Sequence, residues 1–160
     1  MKYFAYGSNM SHKRLQARVP SAQVMGIAKL HGYSLAWHKV SKDGSGKCDI
    51  VKEYSPDNYV WGVLYEIEAS DKKYLDRAEG LGNGYDEKMV MIASGSEMIA
   101  ATTYFATKID STLRPYHWYK ALVEEGAREN ALPDEYREKI NSQECIEDPD
   151  ESRAERNRFH

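Results

Sequence analysis

The chain has 160 residues, 41% of them apolar and 29% charged, with a formal charge of −3 at pH 7, the profile of one soluble globular domain. A negative balance without a basic cluster excludes the electrostatic footprint of a nucleic-acid binder. No apolar run approaches the roughly 18 residues of a membrane span.

Residues 2–6 are short, aromatic and β-prone and stop at Gly7. They read as a first strand and not as an apolar leader, which places the protein in the cytoplasm. Ser8, Asn9 and Ser11 are N-cap residue types ahead of a helix predicted over 12–18. Pro20 ends that helix, because Val19 is pushed out of the α region. Strands are predicted over 24–30 and 33–40, followed by a flexible Ser/Gly/Lys loop over 41–47. Residues 60–67 alternate, with Trp61, Val63, Tyr65 and Ile67 as the better core face. Ser70 is expected to cap a helix through Ala78 that turns Tyr74, Leu75 and Ala78 inward. Gly80, Gly82 and Gly84 make a turn-rich loop before strands over 85–93 and 98–106. Pro115 opens a helix at its favoured first position, carrying Trp118, Tyr119, Leu122 and Val123 and ending near Gly126. Pro133 starts a last helix through Ile140. From Gln143 the chain is nearly all polar and buries too little to order itself, so a domain over 1–142 is expected to carry a charged, mobile tail over 143–160. The sum is about six strands and four helices in mixed order, an α+β domain around a small sheet or barrel.

Two segments carry chemistry. Tyr6-Gly7-Ser8-Asn9-Met10 joins a strand to a helix. It is either a capped turn or a place where free amides at a helix start meet an anion or an oxyanion. Glu79, in Leu75-Asp76-Arg77-Ala78-Glu79-Gly80, ends an amphipathic helix beside a glycine-rich loop and Tyr85. It is either a solvated helix-end carboxylate or, against aromatic walls, an acid/base with a raised pKa. Cys48 and Cys145 stand far apart without a CxxC, and the five histidines show no i, i+4 pair, so no metal is expected. Ser8 lacks a Gly-x-Ser-x-Gly elbow, and Gly44-Ser45-Gly46-Lys47 lacks the spacing of a phosphate loop.

Four segments in register carry a family resemblance. Tyr3 to Met10 resembles the N-terminal signature of the γ-glutamyl cyclotransferase superfamily, Gly62 to Ile67 its central strand, and Leu75 to Gly80 the segment holding its catalytic glutamate. Pro115 to Lys120, followed by Gly126 to Pro133, is similar to the C-terminal helices of the γ-glutamylcyclotransferase branch. The resemblance implies a small mixed closed β-barrel flanked by helices, working without a cofactor. It implies an intramolecular aminoacyl transfer that cleaves a C–N bond, releasing 5-oxoproline and a free amine. By residue match Glu79 takes the acid/base role, and Ala5, Tyr6, Gly7, Ser8, Asn9 and Met10 line the γ-glutamyl pocket, largely through main-chain atoms. Tyr119 and Tyr85 take the places of pocket tyrosines. Met10 stands where relatives often have Leu, a swap that conserves volume. The expected partner is a small γ-glutamyl molecule, with no nucleic acid and no membrane, and a homodimer is left open. Two further readings stay on the table: a cyclotransferase specific for γ-glutamyl amines, and a non-catalytic γ-glutamyl-binding module on the same fold.

Overall fold

The computed structural model describes residues 1–158. Its strands are β1 Lys2–Ala5, β2 Gln23–His31, β3 Tyr33–Val40, β4 Gly46–Lys52, β5 Tyr59–Glu66, β6 Tyr85–Ser94 and β7 Glu97–Ala106. Its helices are α1 His12–Arg18, α2 Lys72–Glu79, α3 His117–Glu129, α4 Asp134–Asn141 and α5 Glu151–Arg158. Five strands close a barrel in the order β1-β5-β2-β6-β7, while β3 and β4 pair as a separate antiparallel hairpin. The α+β barrel flanked by helices is as expected, with one strand fewer in the barrel than the six anticipated.

β1 runs antiparallel to β5 from Lys2↔Glu66 to Ala5↔Val63 and closes the barrel in parallel with β7 at Tyr3↔Thr102. A strand covered on both faces carries an unbroken apolar run, and Tyr3, Phe4 and Ala5 are all buried. β5 is paired on both edges, to β1 and β2, and buries Val60, Val63, Leu64 and Tyr65. Reading 60–67 as a strand with one core face was therefore too narrow.

β4 replaces the end of the predicted loop. Its polar Asp49 is buried and accepts from His38 Nε2 at 2.6 Å and from the Ala106 amide at 2.8 Å. Those partners sit in β3 and β7, beyond the reach of a local pattern. α1 starts as predicted, with Ser11 Oγ accepting from the Arg14 amide at 3.3 Å. A 3-10 turn, Ala69–Asp71, takes up Ser70, so α2 begins only at Lys72. It ends at Gly80, whose φ of 75° is the left-handed cap that glycine adopts without steric cost. Leu75 is buried beneath α2, whereas Tyr74 is exposed. Pro115 precedes the N-cap Tyr116 of α3 and is not its first residue. α3 also runs past Gly126, because Gly126 is where it lies against the chain after β1. A Cβ there would come within 2.8 Å of Met10 Cβ and 2.9 Å of the Ser11 amide nitrogen.

The C-terminal stretch differs most from expectation. Residues 143–158 pack on the body of the protein through a backbone bridge, with Ile146 bonded to Pro115 and His117 at 2.9 and 2.8 Å, and through one buried carboxylate. Asp148 accepts from Trp118 Nε1 at 2.9 Å and from Arg153 Nε and Nη2 at 2.6 and 2.5 Å, and Ala154 of α5 is buried. A charged, hydrogen-bonded anchor does what apolar area does elsewhere. The mobility expected for residues 159–160 lies outside the described residues. No helix among the described residues is long and apolar enough to cross a membrane.

Candidate active site

β1 delivers Tyr3 from inside the barrel, and the chain then turns through Gly7 into a 3-10 turn, Ser8–Met10, that buries Asn9. α2 ends opposite, with half-buried Glu79 in its last turn. The three side chains meet. The Tyr3 hydroxyl donates to Glu79 Oε1, and Asn9 Nδ2 donates to the same oxygen at 3.1 Å and to the Tyr3 hydroxyl oxygen at 3.3 Å. No donor among the described residues reaches Oε2. One carboxylate oxygen is thus fixed and the other is left for chemistry.

Burial pushes the Glu79 carboxyl above its ordinary value, against the Tyr3 and Asn9 hydrogen bonds and the charge of Lys39, which pull it down. Its place at the negative end of α2 acts in the same upward direction as burial. A carboxyl raised in this way suits a group that must both take and return a proton near neutrality.

Across from Glu79, two tyrosines grip one peptide of β4. The Tyr85 hydroxyl donates to the Cys48 carbonyl at 2.7 Å, and the Cys48 amide donates to the Tyr119 hydroxyl at 3.1 Å. Gly7 passes beside them. A Cβ on it would sit 3.3 Å from both Cys48 Cβ and Tyr119 Oη. Its φ is −113°, so the position calls for a small side chain and not for left-handed backbone. Met10 and Ser11 amides are taken up by the Gly7 and Ser8 carbonyls, whereas those of Ser8 and Asn9 have no protein acceptor among the described residues. Two such amides at the start of a helical turn can receive an anion.

Together these groups bound a cavity of about 370 Å³. Of the residues singled out in the sequence, Tyr6, Gly7, Ser8, Asn9, Glu79, Tyr85 and Tyr119 line it. Ala5 and Met10 do not: they are buried in the core, Met10 beneath Gly126 of α3. Tyr6 lines the cavity while its hydroxyl is spent on the Tyr104 carbonyl at 2.5 Å. Tyr3, Lys39 and Cys48 also line it, and no local spacing marks them. The Ser8 hydroxyl makes no hydrogen bond to a histidine, and His38, paired with Asp49, is not in the cavity wall. Among the described residues no three His, Cys, Asp or Glu side chains come together as a metal site.

The chain is similar to known proteins over most of its length. The family model described as the AIG2-like family matches residues 59–140. The γ-glutamylcyclotransferase of Bos taurus is 36% identical over 147 residues, covering 88% of this chain and 77% of the relative. That of Homo sapiens is 35% identical over the same span and coverage. A solved γ-glutamyl cyclotransferase superposes with a TM-score of 0.87 at 30% identity, covering 98% of each chain.

Proposed function

This chain belongs to the γ-glutamylcyclotransferase superfamily, and from that premise we propose that it cyclises the γ-glutamyl group of a γ-glutamyl amino acid or amine to 5-oxoproline, releasing the amine, with Glu79 as the acid/base. The observation that carries this reading is the half-held carboxylate of a cavity-lining residue: Oε1 bonded by Tyr3 and Asn9, Oε2 without a donor among the described residues.

The substrate's α-ammonium cannot attack until it loses a proton. Glu79 Oε2 accepts that proton, and the freed amine adds to the γ-carbonyl carbon, closing a five-membered ring and placing charge on the carbonyl oxygen. The Ser8 and Asn9 amides are suited to that oxyanion or to the α-carboxylate. Collapse of the tetrahedral species breaks the C–N bond to the leaving group. Glu79 returns its proton to the departing nitrogen, and the second proton shed by the ring nitrogen passes by the same carboxylate to the released amine, which leaves as an ammonium. The lactam nitrogen thus keeps one hydrogen and the carboxylate ends as it began. Ring closure is intramolecular, and a cavity that folds the glutamyl chain removes much of the barrier by orientation. No step calls for a metal or cofactor. Two unpaired cysteines, one of them buried, support a cytoplasmic location.

A panel of γ-glutamyl amino acids and γ-glutamyl amines, assayed for 5-oxoproline, tests the proposal. Release from at least one class is expected. Tight binding of the panel without 5-oxoproline would favour a binding module instead.

A further inference from the structure

The cavity wall is strongly cationic. It carries Arg14, Arg18, Lys39, Lys42, Lys47 and Arg77 against one carboxylate, Glu79, in a chain whose formal charge is −3. Among the described residues only Lys47 of these six has an ion-pair partner, Asp43 at 3.3 Å. Three of the cations are sunk into the wall. Lys39 is 9% exposed with its ammonium 4.7 Å from the Tyr85 ring centre, and the Lys47 ammonium lies 4.5 Å from the rings of both Trp118 and Tyr119. Arg14 is the most telling: its Nε and Nη1 are buried with no acceptor. Burial holds its guanidinium below the usual arginine value, at about 10, so it stays charged at neutral pH. Buried N–H groups without an acceptor are unfavourable in the free protein, and the guanidinium that carries them lines the cavity, where its charge favours a carboxylate.

A γ-glutamyl derivative of a neutral amino acid brings one carboxylate on its glutamyl part and one on its leaving group, fewer anions than this wall has cations. We propose that the leaving group favoured by this site is a dicarboxylic amino acid, whose extra side-chain carboxylate is read by the cationic wall, Arg14 among its contacts. The inference rests on the cyclotransferase reading and names the leaving group that the reading leaves unspecified.

The test compares 5-oxoproline release from γ-glutamyl-glutamate and from its neutral isostere γ-glutamyl-glutamine, in wild type, Arg14→Met and Lys42→Met. Lys42 is exposed, so its variant has little packing to lose. In wild type, kcat/KM is expected to favour the glutamate compound by about tenfold or more, the scale of one added charge contact near a protein surface. That preference should shrink as ionic strength rises. Both variants should lose more on the glutamate compound than on the glutamine compound, Arg14→Met the more. Equal kcat/KM for the two compounds in wild type overturns the leaving-group proposal while leaving cyclisation standing. A preference that Arg14→Met leaves intact overturns the role given to Arg14. Absence of 5-oxoproline from both compounds and from every other γ-glutamyl substrate overturns the cyclotransferase reading itself.

Discussion

Tyr3 biases the Glu79 carboxyl toward its ionised form against the larger effect of burial. Its hydrogen bond and that of Asn9 stabilise the carboxylate and pull the pKa down, while burial pushes it up more strongly. Tyr3→Phe removes one downward influence and leaves the ring packed against Tyr65 and Tyr104, at centroid distances of 6.1 and 5.9 Å. The acid limb of kcat/KM, which follows ionisation of the base, should therefore move to higher pH in Tyr3→Phe. A pH–rate profile over the acid range checks this, and an unmoved limb would detach Tyr3 from the base. Glu79 was visible in the sequence through the family-like segment around it. Tyr3 opens the family-like N-terminal segment, but its contact with Glu79 is not legible there, because nothing local says that a strand residue will reach the end of a helix 76 residues later. Arg14 and Lys39 were hidden for the same reason, since each looks like any solvated cation until the fold gathers them around one cavity.

At the scale of elements, the site depends on how closely α3 approaches the loop after β1. Asn130 Nδ2, at the end of α3, donates to the Met10 carbonyl at 2.9 Å, and the Tyr65 hydroxyl donates to the same oxygen at 3.1 Å. Gly126 makes that approach possible. Gly126→Ala sets a methyl against backbone and not against a yielding side chain, an overpacking that costs about 1–3 kcal/mol. It should lower the denaturation midpoint and reduce turnover together, because the 3-10 turn carrying Asn9 must shift. The docked C-terminus gives a second prediction. Asp148→Ala leaves Trp118 Nε1 and the Arg153 guanidinium without their acceptor, at a cost of about 1–3 kcal/mol. Limited proteolysis should then cut within residues 143–158 well before it cuts the wild type.

The elements that could be read directly were those with local causes. α1 has its Ser11 cap, and β6 alternates buried Val90 and Ile92 with exposed Met89 and Met91. β4 and α5 were missed because what holds them is remote. Asp49 is satisfied from β3 and β7, and Asp148 from α3 as well as from Arg153 of α5. Gly126 looked like a helix end because its role, contact with another segment, is invisible along the chain.

The whole molecule is a barrel whose wall lets one carboxylate sit partly out of water. That has a consequence for stability. Because the Glu79 pKa is raised in the folded state, the folded protein binds more protons than the unfolded chain between the ordinary glutamate value, near 4.5, and the raised one. Its contribution is fully present below the ordinary value and is lost as pH rises through the folded value. Glutamine keeps an oxygen to accept from Tyr3 and Asn9 and has no charge to desolvate. Glu79→Gln should therefore melt no lower than wild type at neutral pH, and the difference between the two should narrow toward acid pH. A midpoint for the variant well below wild type at neutral pH would show that the carboxylate is structural.

That same variant bears most directly on function. Wild type and Glu79→Gln, matched for folding by circular dichroism, are given a γ-glutamyl substrate that the wild type turns over, and 5-oxoproline release is followed under saturating conditions. If Glu79 carries the proton out of the ammonium and back to the leaving nitrogen, kcat falls by about 10²–10⁴. Wild-type turnover in Glu79→Gln would contradict the account.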